Sequence, residues 1–181
     1  IIGHAAVFNR ETQIGGSIFG FREIILPGAF TEAIQGDDVR ALSNHIEWMI
    51  LGRNTSGTLL LKEDEIGLSV EIDLPETSYA NDLKISVKRK DVTQMSFAFQ
   101  VKEEKWEFDD ANPSNDLRKI IKVRPLYDVS PVTFAAYPQT DMALRSQERM
   151  KYEKQREVQR PSRSIGAFRR RLLRVKLNNI K

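Results

Sequence analysis

A serine hydroxyl becomes a nucleophile when a base within hydrogen-bond reach takes its proton. That base is most often a histidine, itself oriented by a carboxylate. The sequence holds two histidines, His4 and His45, so any imidazole chemistry rests on one of them. The clearest serine candidate lies in Met95-Ser-Phe-Ala-Phe-Gln-Val101. In a strand, alternate side chains point to opposite faces. Met95, Phe97, Phe99 and Val101 then share a large apolar face, which must be core. Ser96, Ala98 and Gln100 share the other face, small enough near Ser96 for another backbone to approach the hydroxyl. On pattern alone, such a serine is more often a small polar residue on a solvated sheet face. His45 sits in Leu42-Ser-Asn-His-Ile-Glu-Trp48, after one apolar run and before the next. A strand end of this kind is where a cleft can open, and it is equally where surface histidines occur. His4 lies inside the apolar run Ile2–Phe8, which favours a packed, hydrogen-bonded ring. Three carboxylates could orient an imidazole: Asp128 in Leu126-Tyr-Asp-Val-Ser-Pro131, and Glu71 and Asp73 in the strand-like run before Pro75. An acidic residue within an apolar β-rich run needs a partner if buried. For Glu71 the surface-facing reading is the better one.

Other chemistries find no support. Cysteine is absent, which removes disulfides, thiolate catalysis and cysteine-based zinc sites. Two distant histidines without a carboxylate at ligand spacing make no metal site. The Gly15-Gly16 pair and Gly52 with Gly57 lack the spacing and the Lys-Ser/Thr of a phosphate loop. No apolar run approaches the roughly 18–20 residues that cross a bilayer, and no secretory signal pattern stands out.

The elements that must position these residues are mostly strands. Ile1–Phe8, Val39–Asn44, Trp48–Arg53, Thr58–Lys62, Leu68–Leu74 and Thr93–Lys102 all read as strands, with Trp106–Phe108 as a possible continuation of the last. Ile120–Phe134 reads as a long strand broken near Pro125 and Pro131. Residues 63–67 look like a hairpin turn. A short helix follows Leu26-Pro-Gly-Ala-Phe30, and Gly36-Asp-Asp38 ends it. A second helix begins at Thr77 or Ser78 as N-cap and runs to about Lys88. Many strands, few helices and no strand–helix alternation predict a mostly antiparallel, barrel-like or sandwich body.

The 181 residues are 40% hydrophobic and 29% charged, ordinary for one globular domain with room for an appendage. The net charge of +3 hides an asymmetry. Residues 145–181 hold thirteen Lys or Arg against three Glu, whereas residues 1–144 hold fifteen against twenty-two Asp or Glu. The chain therefore reads as an acidic body, 1–141, and a basic, helical tail, 142–181. Such a tail is suited to an acidic protein surface, to nucleic acid, or simply to water. With Phe168 as the aromatic of its last stretch, it lacks the stacking platform of a single-strand binder.

Taken in order, Gly3-His-Ala-Ala-Val-Phe-Asn9, Leu26-Pro-Gly-Ala-Phe30, Asn44-His45, Leu51-Gly-Arg53 with Ser56-Gly-Thr-Leu59, Gly67-Leu68 with Asp73-Leu-Pro75, Met95-Ser-Phe97, and Val129-Ser130 followed by Ala135-Ala-Tyr-Pro138 resemble the prohead (capsid maturation) proteases of tailed phages. The resemblance covers about residues 1–141 and rests on the whole ordered set. It implies a serine endopeptidase with a fold similar to the herpesvirus assembly protease, an antiparallel β-barrel flanked by helices. It implies Ser96 as nucleophile and His45 as general base. Asp128 is then the favoured third member, with Asp73 its rival. Two positions depart from the family pattern: Ile46 stands where an acidic residue commonly follows the histidine, and Asp128 stands where Glu usually precedes Val-Ser. The implied substrates are the phage scaffold, the scaffolding portion of the major capsid protein, and the protease itself, inside the procapsid in the bacterial cytoplasm. No cofactor is implied, a homo-oligomer is left open, and neither membrane nor nucleic acid is an expected partner. The competing reading is a non-catalytic assembly module that binds scaffold or nucleic acid through its basic tail.

Overall fold

The computed structural model describes residues 1–15 and 20–135. Along them run strands β1 (Ile2–Val7), β2 (Thr12–Ile14) and β3 (Phe21–Ile25), helix α1 (Thr31–Gly36), strands β4 (Arg40–Ser43), β5 (Ile46–Arg53), β6 (Leu59–Glu63) and β7 (Gly67–Ile72), helix α2 (Ser78–Arg89), and strands β8 (Gln94–Glu107) and β9 (Leu117–Val132). The body is thus mostly β with two helices among the described residues, an α+β fold. The expected boundary at 141 and the basic tail 142–181 lie outside the described residues. No helix among the described residues is long and apolar enough to cross a membrane.

The expected barrel core is not closed. The described strands pair as two sheets, β1-β7-β6 and a larger one ordered β2-β3-β9-β4-β5, with β8 also paired to β9. The reason lies in β9. It spans 16 residues and uses one edge twice: residues 117–120 pair in parallel with β3, and Asp128 and Val129 pair in parallel with β4. The antiparallel partner β8 takes the other edge along its length. A barrel needs one neighbour on each edge all the way round. A strand with three neighbours branches the sheet instead. On the remaining side β1 lies beside β8 without a ladder between them.

The two prolines do not break β9 as expected. The pairing passes from Phe99↔Leu126 to Val101↔Val123, so two residues of β9, one of them Pro125, oppose the single Gln100. A bulge is where a strand tolerates a residue without an N–H. Pro131 sits opposite Met95 near the strand's end. Strand β8 also runs on through Glu107 rather than ending at Lys102. Its charged second half is held by β9: Lys119 reaches Glu107 at 2.7 Å, and the fully buried Arg118 bonds Glu104 at 2.6 Å and Glu23 at 3.1 Å.

The apolar face of β8 is core, as its alternation predicts. Phe97 stacks on Phe99 at 4.7 Å and meets the edge of the buried Phe30 at 5.3 Å. Each such ring contributes roughly 1.5–3 kcal/mol through burial. The second helix turns Ala80 and Leu83 inward, and Tyr79 Oη donates to the carbonyl of Ile50 at 2.8 Å, tying α2 to β5. Thr77 occupies the N-cap position of α2 without a side-chain cap bond.

Within the three-stranded sheet, β1 and β7 approach most closely at Gly67. A Cβ there would stand 1.9 Å from the carbonyl oxygen of Ala6 on β1. No side-chain rearrangement relieves a clash with backbone. Gly67→Ala is therefore expected to destabilise the fold by about 1–3 kcal/mol, read as a lower urea midpoint. An unchanged midpoint would mean that β1 shifts freely along β7.

Candidate active site

Strands β4 and β5 form a hairpin in which Ser43 pairs with Ile46, leaving Asn44 and His45 as the two-residue turn. Both have positive φ, 52° and 58°. A two-residue hairpin turn with φ positive at both positions is the type I′ arrangement, where Asn-Gly is the preferred sequence. Asn44 fits. His45 stands where glycine is usual, at a backbone cost on the order of 1–2 kcal/mol. Strain held at one residue points to a use for its side chain.

The turn is pinned to the end of β9. The Asn44 N–H donates to the carbonyl of Pro131 at 3.0 Å, and the Thr133 N–H donates to Asn44 Oδ1 at 2.9 Å. Together with the β4–β9 pairing, these bonds set the imidazole against Asp128. His45 Nδ1 lies 2.6 Å from Asp128 Oδ1, and the two side chains keep 14% and 9% of their surface. An ionised carboxylate only accepts, so Nδ1 carries the hydrogen and Nε2 of the neutral ring holds a lone pair. Nε2 is buried and has no hydrogen-bond partner among the described residues.

Ser96 comes to the same place through β8. It pairs with Ser130, and Ala98 pairs with Asp128. Directly opposite residues of an antiparallel pair project from the same face, with Cβ atoms about 4.5–5.5 Å apart. Ser96, Ser130 and Asp128 therefore share one face. That face is not solvated here: Ser96 keeps 1% of its surface and Ser130 none. Ser130 Oγ donates to Asp128 Oδ1 at 2.6 Å, on the same oxygen that His45 uses.

The other candidates stand apart. Glu71 and Asp73 are exposed, Glu71 on β7 between Ile2 and Leu60, Asp73 just beyond it, with its N–H given to the carbonyl of Thr58. His4 is half-buried and bonded through Nε2 to Asp64 Oδ2 at 2.9 Å, joining β1 to the β6–β7 turn. This bond, seconded by the Gly67 N–H, holds the Asp64 carboxyl at about 2, below its ordinary 3.8. A carboxylate depressed in the fold stabilises above its ordinary value, and that stabilisation is lost as pH falls through about 2. Asp64→Asn keeps the acceptor for the turn's N–H groups but loses the charge. The wild type should therefore exceed it in urea midpoint at pH 6, with the gap closing between pH 4 and pH 2. A gap that stays constant with pH would refute the linkage. Among the described residues no group of three His, Asp or Glu side chains is placed to hold a metal ion.

Two residues of this site escape a reading for chemistry alone. Ser130 is two residues from Asp128 and so shares its side of β9, a pairing visible in Asp-Val-Ser once the strand is assigned. Asn44 acts through its positive-φ turn conformation and its side-chain bond to Thr133, which its position before His45 hints at and periodicity does not.

Against known proteins, a family profile described as caudovirus prohead serine protease matches residues 1–155. No curated protein and no solved structure matches the chain.

Proposed function

Since the chain belongs to the caudovirus prohead serine protease family and is therefore a serine peptidase of phage capsid maturation, we propose that Ser96, His45 and Asp128 are its catalytic residues. The observation that carries this is the 2.6 Å contact between His45 Nδ1 and Asp128 on the face of the β8–β9 pair that bears Ser96. In this reading Ser96 Oγ attacks the scissile carbonyl while His45 Nε2 takes its proton. The imidazolium then protonates the leaving amine, and water hydrolyses the acyl-enzyme by the same route in reverse. Asp128 holds the tautomer and offsets the charge that develops on the ring. With 1% of Ser96 exposed, a peptide reaches the hydroxyl after local opening of the residues that cover it.

The substrates we propose are the scaffold or the scaffolding portion of the capsid protein, and the chain itself, inside the procapsid in the host cytoplasm. Residues 142–181 are the segment that recruits an acidic scaffold, through an attraction that weakens as salt rises because exposed charges are screened beyond about 8 Å at physiological ionic strength. The test is incubation with the cognate scaffold, followed by mass spectrometry of the fragments. Fragments from the wild type and none from Ser96→Ala are expected. Equal fragmentation by both would overturn the site, and an intact scaffold with either would favour the non-catalytic assembly module.

A further inference from the structure

We propose that Ser130 is a positioning residue of the peptidase, acting through Asp128. The inference rests on the reading of Ser96, His45 and Asp128 as the catalytic residues. It adds a fourth group that the chemistry of nucleophile, base and carboxylate does not by itself require.

Three observations carry it. First, Ser130 Oγ and His45 Nδ1 converge on one oxygen, Asp128 Oδ1, each at 2.6 Å. Hydrogen bonds to an ionised oxygen at this distance are among the strong ones, roughly twice a neutral bond. An aspartate held by His45 alone could swing about its side-chain torsions. A second donor on the same oxygen fixes which atom faces the ring. Second, Ser130 is fully buried. Among the described residues its bonded partner is Asp128, so its hydrogen is committed to the carboxylate. This separates two serines on one face. The Ser130 proton goes to a carboxylate that accepts from His45 as well, which unsuits it as the nucleophile. Third, Ser130 pairs with Ser96 across the β8–β9 ladder, and Asp128 pairs with Ala98. One register therefore sets both the nucleophile and the hydroxyl that aims the carboxylate. The small side chain of Ala98 leaves the aspartate room to lie along the strand toward Ser130.

The order of action is then Ser130 on Asp128, Asp128 on His45, and His45 on Ser96. A hydroxyl acting only through Asp128 has no effect once Asp128 is gone. A hydroxyl that merely supports the fold would weaken the enzyme in either background.

The experiment is a double-mutant cycle on the full chain. The rate of acylation of Ser96 by a fluorophosphonate is measured for wild type, Ser130→Ala, Asp128→Ala and the double variant, with the maximal rate separated from reagent affinity. Ser130→Ala is expected to lower the maximal rate about tenfold, the effect of losing one hydrogen bond to a charged group, with affinity for the reagent unchanged. Asp128→Ala should fall further, and the double variant should be no slower than Asp128→Ala alone. A wild-type rate in Ser130→Ala would overturn the inference. So would the same tenfold loss repeated in the Asp128→Ala background, since that would mark general damage to the fold. A wild type that takes no label on Ser96 would overturn this inference and the reading of the site together, whereas a labelled wild type with an indifferent Ser130→Ala would sink the inference alone.

Discussion

Ser96→Ala and His45→Ala are each expected to lower scaffold cleavage by about 10,000-fold or more, as removal of a nucleophile or its base does in serine peptidases, while the chain keeps its cooperative melting transition. Ser96→Ala deletes one oxygen from a face that already carries Ala98 and Ser130, so the sheet register has no reason to change. His45→Ala is more informative when set beside His45→Gly. Both variants lose the bond to Asp128 equally. They differ in the turn, where φ of 58° suits glycine and strains alanine. The glycine variant should therefore be the more stable of the two by about 1 kcal/mol, with both inactive. Urea unfolding of the pair, run beside cleavage assays, separates two claims. Residual cleavage by either variant near the wild-type rate would remove His45 from the mechanism. Equal stability of the two would remove the strain from the turn and leave the catalytic role standing. The contrast matters because a residue that disfavours its own backbone position is retained for what its side chain does.

What the sequence made legible follows from which forces were local. Met95–Val101 alternates cleanly because one of its faces is core, and Phe97 and Phe99 are buried as that pattern requires. The hairpin around residues 63–67 is set by Asp64, which accepts from the Ile66 and Gly67 N–H groups, and the second helix by Ala80 and Leu83 spaced to share its inner face; both stand close to where they were expected. Strands β2 and β3 were invisible for the opposite reason. They are short, and although β2 and β3 pair with each other, β3 is anchored on its other side by residues 117–120, almost a hundred positions away. The second half of β8 has no apolar rhythm to read: residues 102–107 are Lys, Glu, Glu, Lys, Trp and Glu, and they stay extended because β9 supplies their ladder and opposite charges. Branching at β9, not any local signal, is what keeps the strands from closing into a barrel. The site shows the same division. Ser96 and His45 are singled out by the whole ordered set of motifs and by no one of them alone. For the carboxylate, pattern sets Glu71 at the surface and the resemblance favours Asp128 over Asp73, but the physical ground for that choice is not local: Asp128 shares a sheet with the β4–β5 hairpin that carries His45, whereas Asp73 just follows a strand of the other sheet.

That choice yields the second large effect. Asp128→Asn is expected to lower the turnover number by about 1,000- to 10,000-fold, with KM little changed because the carboxylate is buried behind the ring and out of reach of substrate. The substitution is nearly isosteric, and the Ser130 hydroxyl can either donate to the amide oxygen or accept from the amide NH2, so the fold should hold. Two orientations are open to the amide, and neither preserves function. If its NH2 faces His45, Nδ1 must accept, the hydrogen moves to Nε2, and the ring no longer has a lone pair for the Ser96 proton. If its oxygen faces His45, the tautomer survives, but no negative charge remains beside the imidazolium formed in the transition state. Asp73→Asn and Glu71→Gln serve as matched controls. Both residues are exposed, and neither is bonded to His45. Each should leave turnover within about twofold, as surface substitutions do. Near-normal turnover in Asp128→Asn, or a thousandfold loss in Asp73→Asn, would transfer the role to the rival carboxylate. It would then require the three-stranded sheet to move against the β4–β5 turn before catalysis. The 2.6 Å contact in the resting structure argues that no such movement is needed.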